Sequence, residues 1–238
     1  MNKLDISVIL PVLNVEKNIG MTVKELDEVL RKSGMSYEIL GVNTPDRDNT
    51  FDAMEKLSKK YDHFYPINMK HKGGKRKFQK GYQYLLGFML AKGDIIVHMD
   101  SDYEDDPRDI TSMVEKLKEG YDLVVGWRIN RKHTFFYRFT SKVYNSITSA
   151  ITGVKIHDKN CGIKAYTRQA AKSLSLHGQN FRGIPLLLKS KGYRITEVPV
   201  NNRDRIGGIG NWNFLNRFFA GIFDLPSNIM ISKSGDMP

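Results

Sequence analysis

The sequence predicts an α/β fold in one domain, with a doubly wound, mostly parallel sheet flanked by helices. Short apolar runs alternate with segments whose apolar residues recur at helical spacing, and no linker rich in Pro, Gly or Ser interrupts them. A length of 238 residues suits one contiguous core. The composition, 40% hydrophobic and 26% charged, excludes collagen-like and wholly disordered chains.

Strands and helices alternate through the first half of the chain. The run 6–13 (ISVILPVL) is typical of a buried strand, and Met21, Val23, Leu26 and Leu30 then recur at helical spacing. The predicted strands are 6–13, 37–42, 63–67 and 94–99, and the predicted helices are 17–32, 50–61 and 78–91. Ligands of such sheets bind beyond the carboxyl ends of the strands. A site is therefore expected at 11–16, 43–49 and 100–106.

The second half continues the alternation less regularly. The predicted strands are 121–127, 162–166 and 193–200, and the predicted helices are 135–151, 181–191 and 212–222. In the last helix, Leu215, Phe218, Phe219 and Ile222 share one face. Since no boundary separates the halves, residues 1–238 are expected to form a single domain.

Charge is divided unevenly between the halves. Residues 1–120 contain 19 basic and 20 acidic residues, whereas residues 121–238 contain 18 basic and 6 acidic residues. The net charge of +11 therefore arises in the second half. A basic half indicates a phosphorylated ligand, an anionic membrane surface or nucleic acid, and a merely solubilising surface is the alternative.

The chain contains one cysteine, Cys161, which excludes an intramolecular disulfide and a cysteine-based zinc site and fits a reducing compartment. The first apolar run is short and lacks a cleavage-site pattern, so a secretory signal is not expected. No stretch reaches the roughly 18 apolar residues that span a bilayer. The sequence predicts a soluble or peripheral protein.

The strongest local signal is the pair Asp100 and Asp102, directly after an apolar strand. Carboxylates at this spacing can turn toward one divalent cation if the chain bends, and hard oxygens suit Mg²⁺ or Mn²⁺. So dense an acidic run repels itself unless a cation or a basic group lies beside it. Asp105 and Asp106 have a simpler interpretation, because acidic residues favour the start of a helix.

Three basic segments could bind phosphate. Residues 72–76 (KGGKR) precede a helix, although a flexible basic turn explains them equally well. The second segment carries Arg128, Arg131, Lys132 and Arg138 among phenylalanines. It fits phosphate binding, a membrane interface, or a core-facing helix with solvated arginines. The Gly-rich loop 202–212 could close over a nucleotide diphosphate, and turn geometry alone is the alternative.

Other catalytic signatures are weak in this sequence. The six histidines have no metal-ligand spacing, and His98, inside an apolar strand, is expected to be a packed core residue. Neither a GxxxxGK[ST] phosphate loop nor a GxGxxG fingerprint occurs.

Six segments in order resemble family 2 glycosyltransferases, closest to the dolichyl-phosphate mannosyltransferases and polyprenyl-phosphate hexosyltransferases. They are ISVILPVLNVEKNI, MDSDYEDDP, YDLVVGWR, DKNCGIKAYTR, GYRITEVPV and RIGGIGNW. The resemblance implies a GT-A type, Rossmann-like fold and inverting transfer of a hexose, mannose or glucose, from a nucleotide diphosphate sugar such as GDP-mannose or UDP-glucose. The implied acceptor is a dolichyl or polyprenyl phosphate. Residues 1–120 would hold the donor and metal, and residues 121–238 the acceptor.

The resemblance also implies roles for individual residues. Donor binding would involve Pro11, Leu13, Asn14, Asn43, Asp100 and Arg205, and the metal, Mg²⁺ or Mn²⁺, would be held by Asp100, Asp102 and Glu104. Arg128, Arg138 and Ser141 would meet the acceptor phosphate. Catalytic roles would belong to Asp102, Arg128 and Asp158. An ionised phosphate acceptor needs no strong general base, whereas a sugar hydroxyl would need a carboxylate such as Asp158.

Three motifs depart from the family pattern. Asn43-Thr44 stands for an Asp-Asp pair, Val15 for a Glu, and Gly210-Asn211 for a Ser-Lys. All three lie where the donor nucleotide is expected, so they bear on the identity of the nucleotide and on activity itself.

The leading hypothesis is a metal-dependent transferase acting on a lipid phosphate at the cytoplasmic face of a membrane. The basic second half and the Phe-rich helices would attach it peripherally. One alternative is a transferase with a soluble glycan, protein or nucleic-acid acceptor, and another is a catalytically silent nucleotide- or membrane-binding protein. A nucleic-acid binder is the weakest alternative and would show a steep salt dependence without divalent metal.

Overall fold

The computed structural model describes residues 4–44, 48–69, 79–129, 153, 155–176 and 180–204. Within these ranges, seven strands form one sheet with helices packed against it. The strands are β1 (Leu4–Val12), β2 (Tyr37–Asn43), β3 (Phe64–Asn68), β4 (Gly93–His98), β5 (Leu123–Arg128), β6 (Lys164–Thr167) and β7 (Ile195–Val200). The helices are α1 (Ile19–Lys32), α2 (Thr50–Ser58), α3 (Gln79–Leu90), α4 (Asp109–Lys118), α5 (Arg168–Lys172) and α6 (Ile184–Ser190).

The sheet has the strand order β3-β2-β1-β4-β6-β5-β7. All neighbouring strands are parallel except β6, which runs antiparallel to both β4 and β5. The prediction of a mostly parallel α/β sheet is therefore confirmed, and the reversed strand was not predicted. Because β2 and β4 flank β1 on opposite sides, the chain reverses its direction of winding there. Such a switch point opens a crevice at the carboxyl ends of the strands.

The core explains why these elements form. The strand β1 is buried from Ile6 onward, as expected for a strand covered on both faces. The helix α1 turns Ile19, Val23, Leu26 and Leu30 toward the sheet, and each of these is fully buried. Complete burial of such a side chain contributes about 1.5–3 kcal/mol, so spacing alone determines which face of the helix packs.

One expectation about the acidic run is wrong. Asp105 and Asp106 do not start a helix, because α4 begins only at Asp109. The Asp106 carboxylate instead accepts hydrogen bonds from the backbone and the guanidinium of Arg108. The strand expected around 162–166 is present as β6, Lys164–Thr167.

Parts of the predicted architecture lie outside the described residues. These are the segment 72–76, the helices 135–151 and 212–222, and most of the loop 202–212. None of the helices within the described ranges is long and apolar enough to cross a membrane.

Candidate active site

The carboxyl ends of β1, β2 and β4 meet in the crevice, and side chains tie them together. The Gln83 amide of α3 donates to the carbonyls of Val12 and Val42, at 2.8 Å each. Beyond β4, the Ser101 hydroxyl donates to the carbonyl of Pro11 at 2.8 Å. These bonds fix the acidic segment after β4 against the end of β1.

Asp100 lies at the centre of this edge and is covered by a lysine. The Lys80 ammonium lies 2.6 Å from Asp100 Oδ1, and the Tyr84 hydroxyl donates to the same oxygen at 3.4 Å. Burial acts in the opposite direction, but Lys80 and then Lys164 and Arg128 hold the pKa of Asp100 below its ordinary value. Asp100 is therefore ionised at neutral pH.

Asp105 is the buried partner of Asp100, since its Oδ2 accepts the Asp100 backbone N–H at 3.1 Å. Burial first, and then the negative charge of Asp100, raise the pKa of Asp105 to about 7. Gly162 closes the other side. A β-carbon at Gly162 would lie 2.5 Å from Asp105 Oδ2 and 3.1 Å from Asp100 Oδ2. The two carboxylates thus share one small space that only a glycine backbone leaves open.

The loop after Asp100 bends sharply, as a site using both aspartates requires. Tyr103 has a φ of 69°, in the left-handed region that non-glycine residues rarely adopt. The Glu104 backbone N–H donates to Asp102 Oδ1 at 3.3 Å, so Asp102 and Glu104 lie on one turn. Such a bend at a strand end is the geometry that lets neighbouring carboxylates approach one ion.

The described residues fit a divalent cation in part. No group of three His, Cys, Asp or Glu in metal-binding geometry occurs within the described ranges. Asp100 and Asp105 nevertheless place two carboxylates side by side, and the negative charge of Asp100 adds to the effect of burial in raising the pKa of Asp105. Hard oxygens of this kind suit Mg²⁺ or Mn²⁺, which commonly take their remaining ligands from water and substrate phosphates. The carboxylates fit such an ion, with Asp102 and Glu104 adjacent on the turn.

Arg128, at the end of β5, forms an ion pair with Asp158. Its Nε donates to Asp158 Oδ2 at 2.6 Å and its Nη2 donates to Oδ1 at 3.0 Å. Burial opposes the charge, but the Asp158 carboxylate raises the pKa of Arg128. The guanidinium therefore stays charged while two of its nitrogens are held by the protein. Asp158 in turn is a bound carboxylate, which disfavours its use as a free general base.

Arg203 joins the acidic loop to α1. Its guanidinium makes two hydrogen bonds to Glu25, at 2.6 and 2.7 Å, and lies 2.8 Å from Asp106. The same guanidinium stacks over the Tyr103 ring at 5.0 Å, and the Arg203 backbone N–H donates to the Glu104 carbonyl at 2.9 Å. Arg203 therefore supports the strained turn from outside.

The predicted donor residues lie at the ends of β1 and β2. Pro11 is buried, Leu13 is half-buried, and Asn14 has a positive φ of 52°. The Asn43 amide donates to Asn68 Oδ1 at 3.2 Å. The buried Asn43 Oδ1 and Thr44 Oγ1 have no hydrogen-bond partner in the described part of the protein. An acceptor oxygen left open at the strand edge could receive an N–H group from a ligand.

The family model described as Glycosyl transferase family 2 matches residues 7–175. The chain belongs to this family. Among curated relatives, the dodecaprenyl-phosphate galacturonate synthase of Rhizobium johnstonii is 32% identical over 94% of the chain. The undecaprenyl-phosphate 4-deoxy-4-formamido-L-arabinose transferase of Salmonella paratyphi B is 27% identical over 92% of it. The chain spans 66% of the length of each relative.

Solved structures agree on the fold of this family 2 chain. The glucosyl-3-phosphoglycerate synthase of Mycobacterium tuberculosis, in complex with Mn²⁺, UDP and phosphoglyceric acid, superposes with a TM-score of 0.70 at 19% identity, covering 99% of the chain and 80% of that structure. The mannosyl-3-phosphoglycerate synthase of Rubrobacter xylanophilus gives 0.74 at 15% identity, covering 98% and 76%. The expected GT-A type fold is confirmed.

Some of the predicted site residues lie close to other charged residues in the structure, and others lie outside the described ranges. Asp100 lies beside Asp105, and Arg128 pairs with Asp158. Arg138, Ser141 and Arg205 lie outside the described residues, as do Arg131, Lys132, Gly210 and Asn211. His98 is a core residue as predicted, buried and 3.0 Å from the Tyr166 hydroxyl.

No site role was predicted for Lys80, Asp105, Gly162 or Lys164, and Arg203 was predicted only as part of the loop 202–212. Gly162 and Lys164 belong to the DKNCGIK segment, and Asp105 belongs to the acidic run, so both segments carried a signal. Lys80 carried none, because nothing local distinguishes it from the lysines around it.

Proposed function

We propose that this chain transfers a hexose, with inversion, from a nucleotide diphosphate sugar to a dolichyl or polyprenyl phosphate. The transfer would take place at the cytoplasmic face of a membrane to which the chain is peripherally attached. Membership of glycosyl transferase family 2 supports glycosyl transfer, and the printed names of the two curated relatives support a polyprenyl phosphate acceptor.

The observation that carries the proposal is a pair of neighbouring carboxylates, Asp100 and Asp105, with basic side chains close to them. Both carboxylates lie against Gly162, and Lys80 holds the pKa of Asp100 below its ordinary value. Burial raises the pKa of Asp105 to about 7, although the charge of Arg128 opposes it. A site of this kind can hold a cation and an anionic substrate next to each other. Transfer between two phosphorylated molecules needs such an arrangement.

The chemistry requires charge stabilisation more than proton transfer. A divalent cation bound by the carboxylates, Mg²⁺ or Mn²⁺, would neutralise the leaving diphosphate. Asp100 and Asp102 would orient the donor through that ion, and Arg128, fixed by Asp158, would face the acceptor phosphate with its remaining donor nitrogen. An acceptor that is already ionised can attack without a strong base. The bound state of Asp158 agrees with this requirement.

The proposal also concerns the identity of the sugar nucleotide donor. GDP-mannose and UDP-glucose are the donors that the sequence suggests, whereas the relatives are named for galacturonate and 4-deoxy-4-formamido-L-arabinose. The neutral pair Asn43 and Asn68 at the donor edge offers amide groups, which hydrogen-bond a base without adding charge. The sugar is therefore best identified with a panel that covers all four.

The test is transfer to undecaprenyl phosphate in phospholipid vesicles with Mn²⁺, using GDP-mannose, UDP-glucose and the UDP derivatives of the two sugars just named. The purified chain is expected to form one glycolipid, detected by mass spectrometry, and none with undecaprenol, which lacks the phosphate. Asp102→Asn should abolish the product. A thermal-shift measurement checks donor binding separately, since a ligand at about a hundred times its Kd stabilises the fold by about 2.7 kcal/mol.

Two results would contradict the proposal. Equal activity on a soluble sugar acceptor without lipid would identify a transferase of the alternative kind. Donor binding with no transfer to any acceptor would identify a silent binding protein, which the departures at Asn43 and Val15 make the second candidate.

A further inference from the structure

Lys80 occupies one oxygen of the first predicted metal ligand. Its ammonium lies 2.6 Å from Asp100 Oδ1. The pair joins the first turn of α3 to the segment that follows β4. The other oxygen, Oδ2, lies on the side of Gly162 and Asp105. One half of the Asp100 carboxylate therefore faces a positive charge that the protein itself supplies.

The Lys80–Asp100 pair lies where water can reach it. The Lys80 side chain is 37% exposed and that of Asp100 is 26% exposed, so both charges keep contact with water. Because water reaches both side chains, separating the two charges costs less than separating a fully buried pair. A lysine has a flexible stem and a compact charge, so its ammonium can move by several ångströms without any change in the backbone.

When Lys80 moves away, Asp100 keeps two of its hydrogen bonds. The Tyr84 hydroxyl still donates to Oδ1, at 3.4 Å, and the Asp100 backbone N–H still bonds to Asp105. Lys164 does not take the place of Lys80, because its ammonium is buried and donates to the Cys161 carbonyl at 2.5 Å. Of these two lysines, Lys80 is the one whose charge is free to leave.

We propose that Lys80 competes with a divalent cation for Asp100 and, once displaced, contacts the diphosphate of the donor. The proposal rests on the proposed function only in taking a nucleoside diphosphate as ligand. A cation and an ammonium on one carboxylate repel each other, so binding of the ion moves Lys80 toward the open crevice. There the ammonium meets the negative charge that arrives with the nucleotide, and metal binding and donor binding favour each other.

The first measurement is Mn²⁺ binding to the protein without nucleotide, by electron paramagnetic resonance of free Mn²⁺. Lys80→Met is expected to bind Mn²⁺ roughly tenfold more tightly than the wild type, because a competing positive charge is gone. Lys80→Arg keeps the charge and should stay within about twofold of the wild type. Lys92→Met is the matched control: it removes the same charge from an exposed side chain beyond the far end of α3.

The second measurement is UDP and GDP binding at saturating Mn²⁺. Lys80→Met should bind the preferred nucleoside diphosphate several-fold more weakly, with the corresponding monophosphate less affected. Unchanged or weaker Mn²⁺ binding in Lys80→Met, with an unaltered thermal unfolding midpoint, would show that Lys80 only supports Asp100 structurally. No Mn²⁺ binding by any variant would also overturn the inference. Neither assay contains sugar or lipid, so an error in the proposed acceptor leaves the result intact.

Discussion

Arg128 and Asp158 form a doubly hydrogen-bonded ion pair in which only 10% and 11% of the side chains are exposed. The two residues come from different parts of the chain, the end of β5 and the loop before β6, and are 30 residues apart. Both residues were predicted to contact substrate, and in the structure they bind each other. This pairing orients the guanidinium before any ligand arrives.

Removing one member of the pair should cost more than removing both. Asp158→Leu leaves a buried guanidinium without its counter-charge, and loss of one partner of a buried pair typically destabilises a protein by about 3–5 kcal/mol. Arg128→Met combined with Asp158→Leu should lie closer to the wild type. Urea unfolding of the two single variants and the double variant measures this. Additive effects would contradict a coupled pair.

Gly162→Ala is expected to damage the site with little effect on the fold. The added methyl group would lie 2.5 Å from Asp105 Oδ2, so the carboxylates must separate. We expect at least a tenfold loss of Mn²⁺ affinity, measured by calorimetry, since ligand geometry determines metal binding. Gly20→Ala is the control, because its nearest neighbour would be Leu57 at 4.0 Å. Equal Mn²⁺ binding in both variants would exclude the carboxylate pair as the cation site.

Arg203 should stabilise the acidic loop through geometry as well as charge. Arg203→Lys keeps the charge but cannot reproduce two bonds to Glu25 together with contacts to Asp106 and Tyr103. We expect a loss of about 1–3 kcal/mol in unfolding free energy. Lys24→Ala, which removes an exposed pair with Glu28, should change it by less than about 0.5 kcal/mol. Equal effects of the two variants would contradict this role.

Lys159 predicts that the folded protein becomes more stable as the pH rises above about 8. Its ammonium is buried with no hydrogen-bond partner in the described residues, and burial lowers its pKa to about 8. In the unfolded chain the pKa returns to about 10.5, so between these values the unfolded state binds the extra proton and stability rises with pH.

Lys159→Met should therefore be more stable than the wild type at pH 7, with the difference falling steadily between pH 8 and pH 10. Urea unfolding at several pH values measures it. Lys118→Met, an exposed lysine on α4, should show no such trend. A difference independent of pH would mean that Lys159 is neutralised by a partner in the folded protein.

Local sequence patterns determined the elements and their approximate limits. The apolar run 6–13 and the helical spacing of apolar residues in 19–30 each show which side chains of the element are buried. This information is local, because it depends only on the order of neighbouring residues. The edge of the sheet at which the acidic run lies also followed from the sequence, because parallel strands place their carboxyl ends at one edge. Asp100 and Asp102 accordingly follow the end of β4 at this edge, and their role as metal ligands stays a prediction.

Only the tertiary structure decided which charged groups meet. Arg203 and Glu25 are 178 residues apart, and Lys80 reaches Asp100 because α3 packs beside the end of β4. The reversed direction of β6 likewise brings Gly162 and Lys164 to the carboxylates. Such contacts depend on how whole elements pack, and a charge carries no periodic signal that reveals its partner. Hydrophobic burial is encoded locally, whereas electrostatic pairing is settled only when the chain is folded.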